Sequence, residues 1–472
     1  MDQAYSTMPD PLLSQLESQR SAFLARPLPS HGERSAALAS LKRALLRERA
    51  ALCDALAADY GRRSPYDTLI ADLLPCIRQI GYTRRHLKRW MAPSRRRPGL
   101  LLHPASLRVH YQPLGVVGIM VPWNFPVMLA IGPLITALAA GNRAMLKLSE
   151  FTPATNAVLR RLLASCFTEE EVAVVEGGPE VAARFSALPF DHLFFTGSTA
   201  IGRQVMAAAS QHLTPVTLEL GGKSPCLIAP DIPLEFAIDR LLYGKCLNAG
   251  QICVAPDYVL LPRGQEEAFA TAFQRAFARR YPKGLASADF TSVVSAAHYH
   301  RLTGWLAQAS ADGARVIPAC EPARDDAAHR LAPHLLWGLP EQSPVMQQEI
   351  FGPLLPLIAY DSLDEALAYI RARPRPLACY LMSLDAAVQA RVIKEVHAGG
   401  MAINDTVFQV AADDAPFGGI GPSGMGHYHG HEGFLTLSKA KTVLRRGRWS
   451  SGALIQPPYG WRQRLLLWLL LR

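Results

Sequence analysis

From Val116 onward the chain repeats one two-part unit, a short apolar run followed by a longer segment with helical spacing. Val116-Val117-Gly118-Ile119-Met120-Val121 reads as a buried strand, and Phe125 to Ala140 as an apolar helix closed by Gly141-Asn142. Ala144 to Leu148 is the next strand and Thr152 to Cys166 the next helix, with Pro153 in its first turn. Val172 to Val175 and His192 to Phe195 are further strands, followed by helical stretches at Pro179 to Leu188 and Ala200 to Leu213. This alternation predicts a parallel, doubly wound α/β sheet, and ligands bind such sheets at the carboxyl ends of the strands. The pattern resumes later: Tyr258 to Leu261 and Leu354 to Tyr360 read as strands, Glu266 to Arg280 and Asp364 to Arg371 as helices, so a second α/β region is expected.

Upstream, residues 10–92 read as mostly helical. Ser35 to Tyr60 carries apolar residues at helical spacing, with Gly61 as a stop. Pro93, Pro98 and Pro104 mark an irregular connection, and Leu107 to Gln112 alternates as a strand, half of a hairpin. A length of 472 residues predicts two or three domains.

Chemistry points to Gly250-Gln251-Ile252-Cys253 and to Glu219-Leu220-Gly221-Gly222-Lys223. Cys253 sits in a small, polar, glycine-bearing segment that a substrate can reach. Glu219 ends a strand-like run from Pro215, and the two glycines after Leu220 allow a ligand close to the backbone. A reachable thiol with a carboxylate suggests covalent catalysis, the thiolate attacking an electrophile and the carboxylate handling protons or water. The bland reading is an inert thiol, since free cysteines are mostly small buried hydrophobes.

Composition narrows the class. Hydrophobic residues make up 49% and charged residues 19%, as in an ordinary globular protein. The net charge of +10 is concentrated in Arg84, Arg85, Lys88 and Arg89, in Arg95, Arg96 and Arg97, and in Arg445, Arg446 and Arg448. No motif or aromatic pattern accompanies these runs, so nucleic-acid binding is not expected. The eight cysteines (Cys53, Cys76, Cys166, Cys226, Cys246, Cys253, Cys320, Cys379) form no C-x-x-C pair, which favours a reducing compartment. The first residues carry neither a basic nor an apolar leader region, so the expected location is the cytoplasm. Leu465 to Leu471 is apolar all round but falls short of the roughly 20 residues that span a bilayer. It could lie on a membrane surface, a reading not favoured over packing against a partner subunit.

Several stretches together resemble the aldehyde dehydrogenase superfamily. They are Pro122-Trp123-Asn124-Phe125-Pro126, Lys147-Leu148-Ser149-Glu150, Phe195-Thr196-Gly197-Ser198-Thr199, the Glu219 and Cys253 segments, and Glu349-Ile350-Phe351-Gly352-Pro353. The resemblance runs from about Val116 to Val443, departing at Leu148, where the family usually has proline. Pro416-Phe417-Gly418-Gly419 and Ser423-Gly424-Met425-Gly426-His427-Tyr428-His429-Gly430 look like the class 3 and coniferyl aldehyde dehydrogenase branch.

The resemblance implies two doubly wound α/β domains with a small bridging element: 1–100 and 116–220 for NAD(P), 221–415 carrying the nucleophile, 101–115 and 416–450 as a bridging and oligomerisation element supporting a homodimer, and 451–472 as an apolar tail. It implies Cys253 as the nucleophile that forms a thiohemiacetal and then a thioester. Asn124 and the Cys253 backbone N–H would stabilise the oxyanion, and Glu219 would activate the hydrolytic water. It places Trp123, Lys147, Glu150, Gly197, Ser198, Gly202, Glu349 and Phe351 on the cofactor, NAD with NADP also accepted. The spacing Gly197-x-x-x-x-Gly202 departs from the usual dinucleotide fingerprint. The substrate expected is an aromatic or lipophilic aldehyde such as coniferyl aldehyde. The alternatives are a membrane-associated fatty aldehyde dehydrogenase and an acylating or esterase-like enzyme using the same thiol. His427, His429 and His431 invite a metal reading, but only Glu432 stands near as a further ligand, so no metal is expected.

Overall fold

The computed structural model describes residues 10–99, 102–448, 452 and 455–472. Its centre is a six-stranded sheet in the order Gly424–Met425, Val216–Glu219, His192–Thr196, Val116–Met120, Arg143–Lys147, Val172–Val175. Five strands are parallel, and Gly424–Met425 runs antiparallel along Val216–Glu219. The first strand in sequence, Val116–Met120, is buried along its whole length because helices cover both faces. The chain then winds outward to one side through Arg143–Lys147 and to the other through His192–Thr196. Their divergence leaves a crevice at the carboxyl ends of the two central strands.

The helix Pro126–Ala140 packs beneath this sheet. Nearly all its side chains are buried, as an all-apolar helix requires. It ends where Gly141 adopts φ +91 and the Asn142 N–H reaches back to the Ala137 carbonyl at 2.9 Å. A layer of amino-terminal helices covers its outer side, joining one core with residues from Leu38 to Trp90. The segment from Ser35 to Tyr60 is two helices, His31–Arg47 and Arg49–Asp59, offset at Glu48. Glu48 turns its carboxylate to Arg161 at 2.9 Å, a long-range contact that local spacing does not reveal.

A seven-stranded sheet forms the second α/β unit, in the order Arg315–Pro318, His334–Trp337, Leu354–Tyr360, Tyr258–Pro262, Pro225–Ile228, Ala378–Met382, Gly400–Ile403, all parallel except the first. A three-stranded antiparallel sheet stands apart, with Ala105–Pro113 between Ser94–Arg96 and Ser438–Arg446. The connection around Pro93 to Pro104, read as irregular, thus contributes Ser94–Arg96. Residues 424–425, grouped from sequence with the bridging element, join the six-stranded sheet instead, because they cover the open edge of Val216–Glu219. The carboxy-terminal helix Trp461–Leu470 has no buried residue. Among the described residues, no helix is long and apolar enough to cross a membrane.

Candidate active site

The helix Leu234–Cys246 runs into a tight turn, Leu247–Gly250, that leads to Cys253. Asn248, Ala249 and Gly250 are consecutively left-handed, with φ of 50, 52 and 74. For Asn and Ala this costs on the order of 1 kcal/mol each, so the surroundings must impose it. Asp67 accepts the Asn248 backbone N–H at 3.2 Å. The buried Gln251 side chain donates to the Asn248 carbonyl at 2.9 Å and the Ser292 carbonyl at 3.1 Å, and accepts from the Val294 N–H at 3.0 Å. Gly250 passes so near the Gly352 carbonyl that a β-carbon would come within 2.6 Å of its oxygen.

Cys253, half-buried, lies at an apolar cavity of about 830 Å³ that also reaches Asn124, Met128, Tyr243, Phe408 and Phe417. Burial first, then the nearby carboxyl groups of Glu349 and Glu219, push its thiol up to about 12. Glu219 closes the strand Val216–Glu219, paired with Thr196 on one side and Gly424 on the other. Glu219 is 3% exposed, and neither carboxyl oxygen has a hydrogen-bond partner among the described residues. Burial raises its pKa well above the carboxylate range. An unpartnered buried carboxyl group beside a thiol is costly for folding and useful for proton transfer.

Asn124 is fully inside the protein. Its amide Nδ2 donates to the Gln251 carbonyl at 3.2 Å, joining it to the turn that carries Cys253. Cys253, Glu219 and Asn124, far apart in sequence, therefore converge.

On the other side a cleft of about 1370 Å³ opens at the crevice between the two central strands. Trp123, Lys147, Glu150, Gly197 and Ser198 line it. Ser198 caps the helix Thr199–Ser210, its Oγ accepting the Ile201 N–H at 3.4 Å, so this positive helix end opens on the cleft and suits a diphosphate. The Lys147 ammonium, buried to its tip, donates to the Leu148 carbonyl at 2.8 Å and stands 3.7 Å from the Glu150 carboxylate. Burial lowers its pKa and Glu150 opposes that. A cation beside a half-exposed carboxylate fits a ribose with its hydroxyl groups. The Leu148 N–H donates to the Val175 carbonyl at 3.0 Å, an added rung that proline could not make.

Gly202 does not line the cleft. It lies against Leu220, where a β-carbon would be 2.6 Å from Leu220 Cδ2, so it serves the packing of the helix on the sheet. Phe351, at φ +49, sets its ring edge-on to Trp123 with centroids 5.3 Å apart. Glu349 is half-buried with its carboxyl group against Gly221, and its pKa rises to about 8, through desolvation and then Asp257. Lys223 pairs with Asp257 and donates to the Gln348 carbonyl at 3.0 Å, while Asp257 accepts the Ile350 N–H at 2.9 Å, fixing the residues on either side of Glu349.

His429 lines the apolar cavity and stacks on Phe417, while His431 stacks on Trp90, 5.9 Å away. Among the described residues no group of three or more His, Cys, Asp or Glu could hold a metal ion. Tyr60, Arg63, Asp67 and Asp72, all touching the site's backbone, escaped the sequence reading. No local motif marks them, because their partners are distant in sequence. His298 was missed as well; its ring bridges Trp123 and Phe151 across the cleft at 5.1 and 5.9 Å.

A cleft with a helix amino terminus on one side of a thiol and an apolar cavity on the other fit a dinucleotide-dependent oxidoreductase. The model of the aldehyde dehydrogenase family matches residues 16–443. The chain is 49% identical over 463 residues to the probable coniferyl aldehyde dehydrogenase of Pseudomonas aeruginosa, covering 97% of each. It is 44% identical to the coniferyl aldehyde dehydrogenase of a Pseudomonas species, covering 88% of this chain and 87% of that one. A solved structure of AldH from Staphylococcus aureus in its substrate-bound state superposes with a TM-score of 0.93 at 35% identity, covering 98% of this chain and all of the other (100%). An aldehyde dehydrogenase of Mycobacterium tuberculosis complexed with NAD+ gives 0.82 at 28% identity, over 92% and 90% of the chains. The chain belongs to the aldehyde dehydrogenase family, and it is an NAD(P)-dependent aldehyde dehydrogenase.

Proposed function

We propose that the enzyme oxidises aromatic, lipophilic aldehydes of the coniferyl aldehyde type to carboxylic acids. The observation carrying this reading is the cavity at Cys253, whose lining is almost wholly apolar and includes the parallel ring pair Tyr243–Phe408, 5.2 Å apart with 7° between planes. Such walls favour a flat apolar body over a charged or strongly hydrated one. The likeness to coniferyl aldehyde dehydrogenases supports it.

In this reading Cys253 adds to the aldehyde carbonyl, and the Asn124 amide with the Cys253 N–H holds the oxygen that becomes negative. Trp123, Lys147, Glu150, Gly197 and Ser198 hold the dinucleotide, with Glu349 and Phe351 beside its reactive end. When bound, the dinucleotide supplies the hydride acceptor. Glu219 takes a proton from the water that cleaves the thioester, regenerating the thiol. The six-stranded sheet belongs to the cofactor domain, the seven-stranded sheet to the catalytic domain, and the three-stranded sheet to a bridging element. A cytoplasmic setting is supported by eight free cysteines.

The test is NADH and NADPH formation with a panel of aromatic and aliphatic aldehydes, wild type beside Cys253→Ala. Turnover ranked toward aromatic aldehydes and lost in the variant supports the reading. Preference for short, polar aldehydes, or activity surviving the substitution, overturns it.

A further inference from the structure

Arg63 and Asp72 form an ion pair at 2.6 Å, and both side chains are completely inaccessible. Burying two charges costs them their hydration, and apolar residues of similar size often do as well or better for stability. The pair's contacts show what it does instead. The second arm of the Arg63 guanidinium donates to the Asn124 carbonyl at 2.8 Å. Asp72 accepts the Val127 and Met128 N–H groups at 3.2 and 3.1 Å, capping the helix that begins just after Asn124. The Tyr60 hydroxyl lies 3.0 Å from the Trp123 carbonyl and 3.1 Å from that of Asn124. The Asn248 side chain donates to the same Asn124 carbonyl at 3.1 Å. The guanidinium lies 4.9 Å from the centroids of both the Tyr60 and Phe125 rings. The backbone of Asn124 is thus gripped from three directions, and its side chain is left to face the thiol loop.

We propose that Arg63, locked by Asp72 and assisted by Tyr60, is a positioning residue that fixes the Asn124 amide for the reacting carbonyl oxygen. This rests on the assignment of Asn124 given above. A planar fork can serve a carboxylate and a carbonyl at once, which lysine, a point donor, cannot do with the same geometry. An oxyanion donor stabilises charge only where its aim is held in advance.

A kinetic double-mutant cycle tests this on the full chain with dinucleotide and an aromatic aldehyde. The variants are Arg63→Lys, Asn124→Ala and the two combined, with unfolding midpoints measured alongside. Arg63→Lys should lower kcat/KM by roughly tenfold to a hundredfold, yet by less than about twofold when Asn124 is already alanine, because a positioning residue has nothing left to position. Tyr60→Phe, which removes one hydroxyl and keeps the ring, should repeat the pattern at smaller size and serves if Arg63→Lys does not fold. Equal losses in both backgrounds, or a lowered unfolding midpoint with unchanged kcat/KM, would show a structural role only and overturn the proposal. Wild-type turnover in Asn124→Ala alone would sink the assignment of Asn124 itself.

Discussion

The carboxyl group of Glu349 rests on the backbone of Gly221, so near that a β-carbon there would collide with it. Two residues past Glu219, the missing side chain at Gly221 makes room for a second carboxyl group beside Cys253. Gly221→Ala should displace Glu349 and lower kcat/KM by roughly a hundredfold with a small change in unfolding midpoint. Steady-state kinetics beside a thermal melt checks this; unchanged kinetics would mean that the seat of Glu349 is immaterial.

Glu349 also makes stability depend on pH. Its folded value of about 8 stands above the ordinary 4.5, so the folded chain keeps a proton that the unfolded chain releases. Its contribution is present at low pH and is lost as pH climbs through about 8. Glu349→Gln cannot titrate, so its unfolding midpoint relative to wild type should rise between about pH 5 and 8. Parallel curves for the two proteins would refute the shift.

Without dinucleotide, the Cys253 thiol stays protonated through neutrality, since burial and two carboxyl groups raise it to about 12. Alkylation of this thiol by iodoacetamide should quicken about tenfold per pH unit from pH 7 to 10. A plateau near neutrality would show a thiolate already formed.

Glu219→Gln should separate the two halves of the reaction. A burst of NAD(P)H equal to the enzyme present is expected in stopped flow, followed by turnover slower by roughly 10²–10⁴-fold. If the burst disappears while the protein stays folded, Glu219 acts before the thioester forms.

The carboxy-terminal helix buries nothing of the described structure. A chain ending at Gly460 should keep wild-type kcat and the same partition in a liposome flotation assay. Flotation of the full chain alone would assign the leucine-rich helix to a lipid surface.

Much of this was legible in the sequence because the informative features are local. The strand Val116–Met120 announces itself by being apolar on both faces, and Cys253 and Glu219 stand beside glycines that leave room for ligand. Features made by distant residues were not legible. Ser94–Arg96 is a strand only because Ala105–Pro113 runs beside it. No local motif marks Arg63 or Asp72, and only folding brings them together under Asn124. The resemblance places Gly202 on the cofactor, but a motif cannot tell a residue facing a ligand from one facing Leu220.

The pairing of Gly424 with Glu219 has a consequence for synthesis. Some two hundred residues must leave the ribosome after Glu219 before the strand that closes its edge exists, and the last strand, Ser438–Arg446, comes later still. Contacts so distant in sequence form late and slowly. A nascent chain can thus build the parallel core of its six-stranded sheet while the carboxyl group of Glu219 is still open to water. Catalytic competence arrives only with the final segment, so a chain truncated before residue 424 should accumulate as a folded but inactive core.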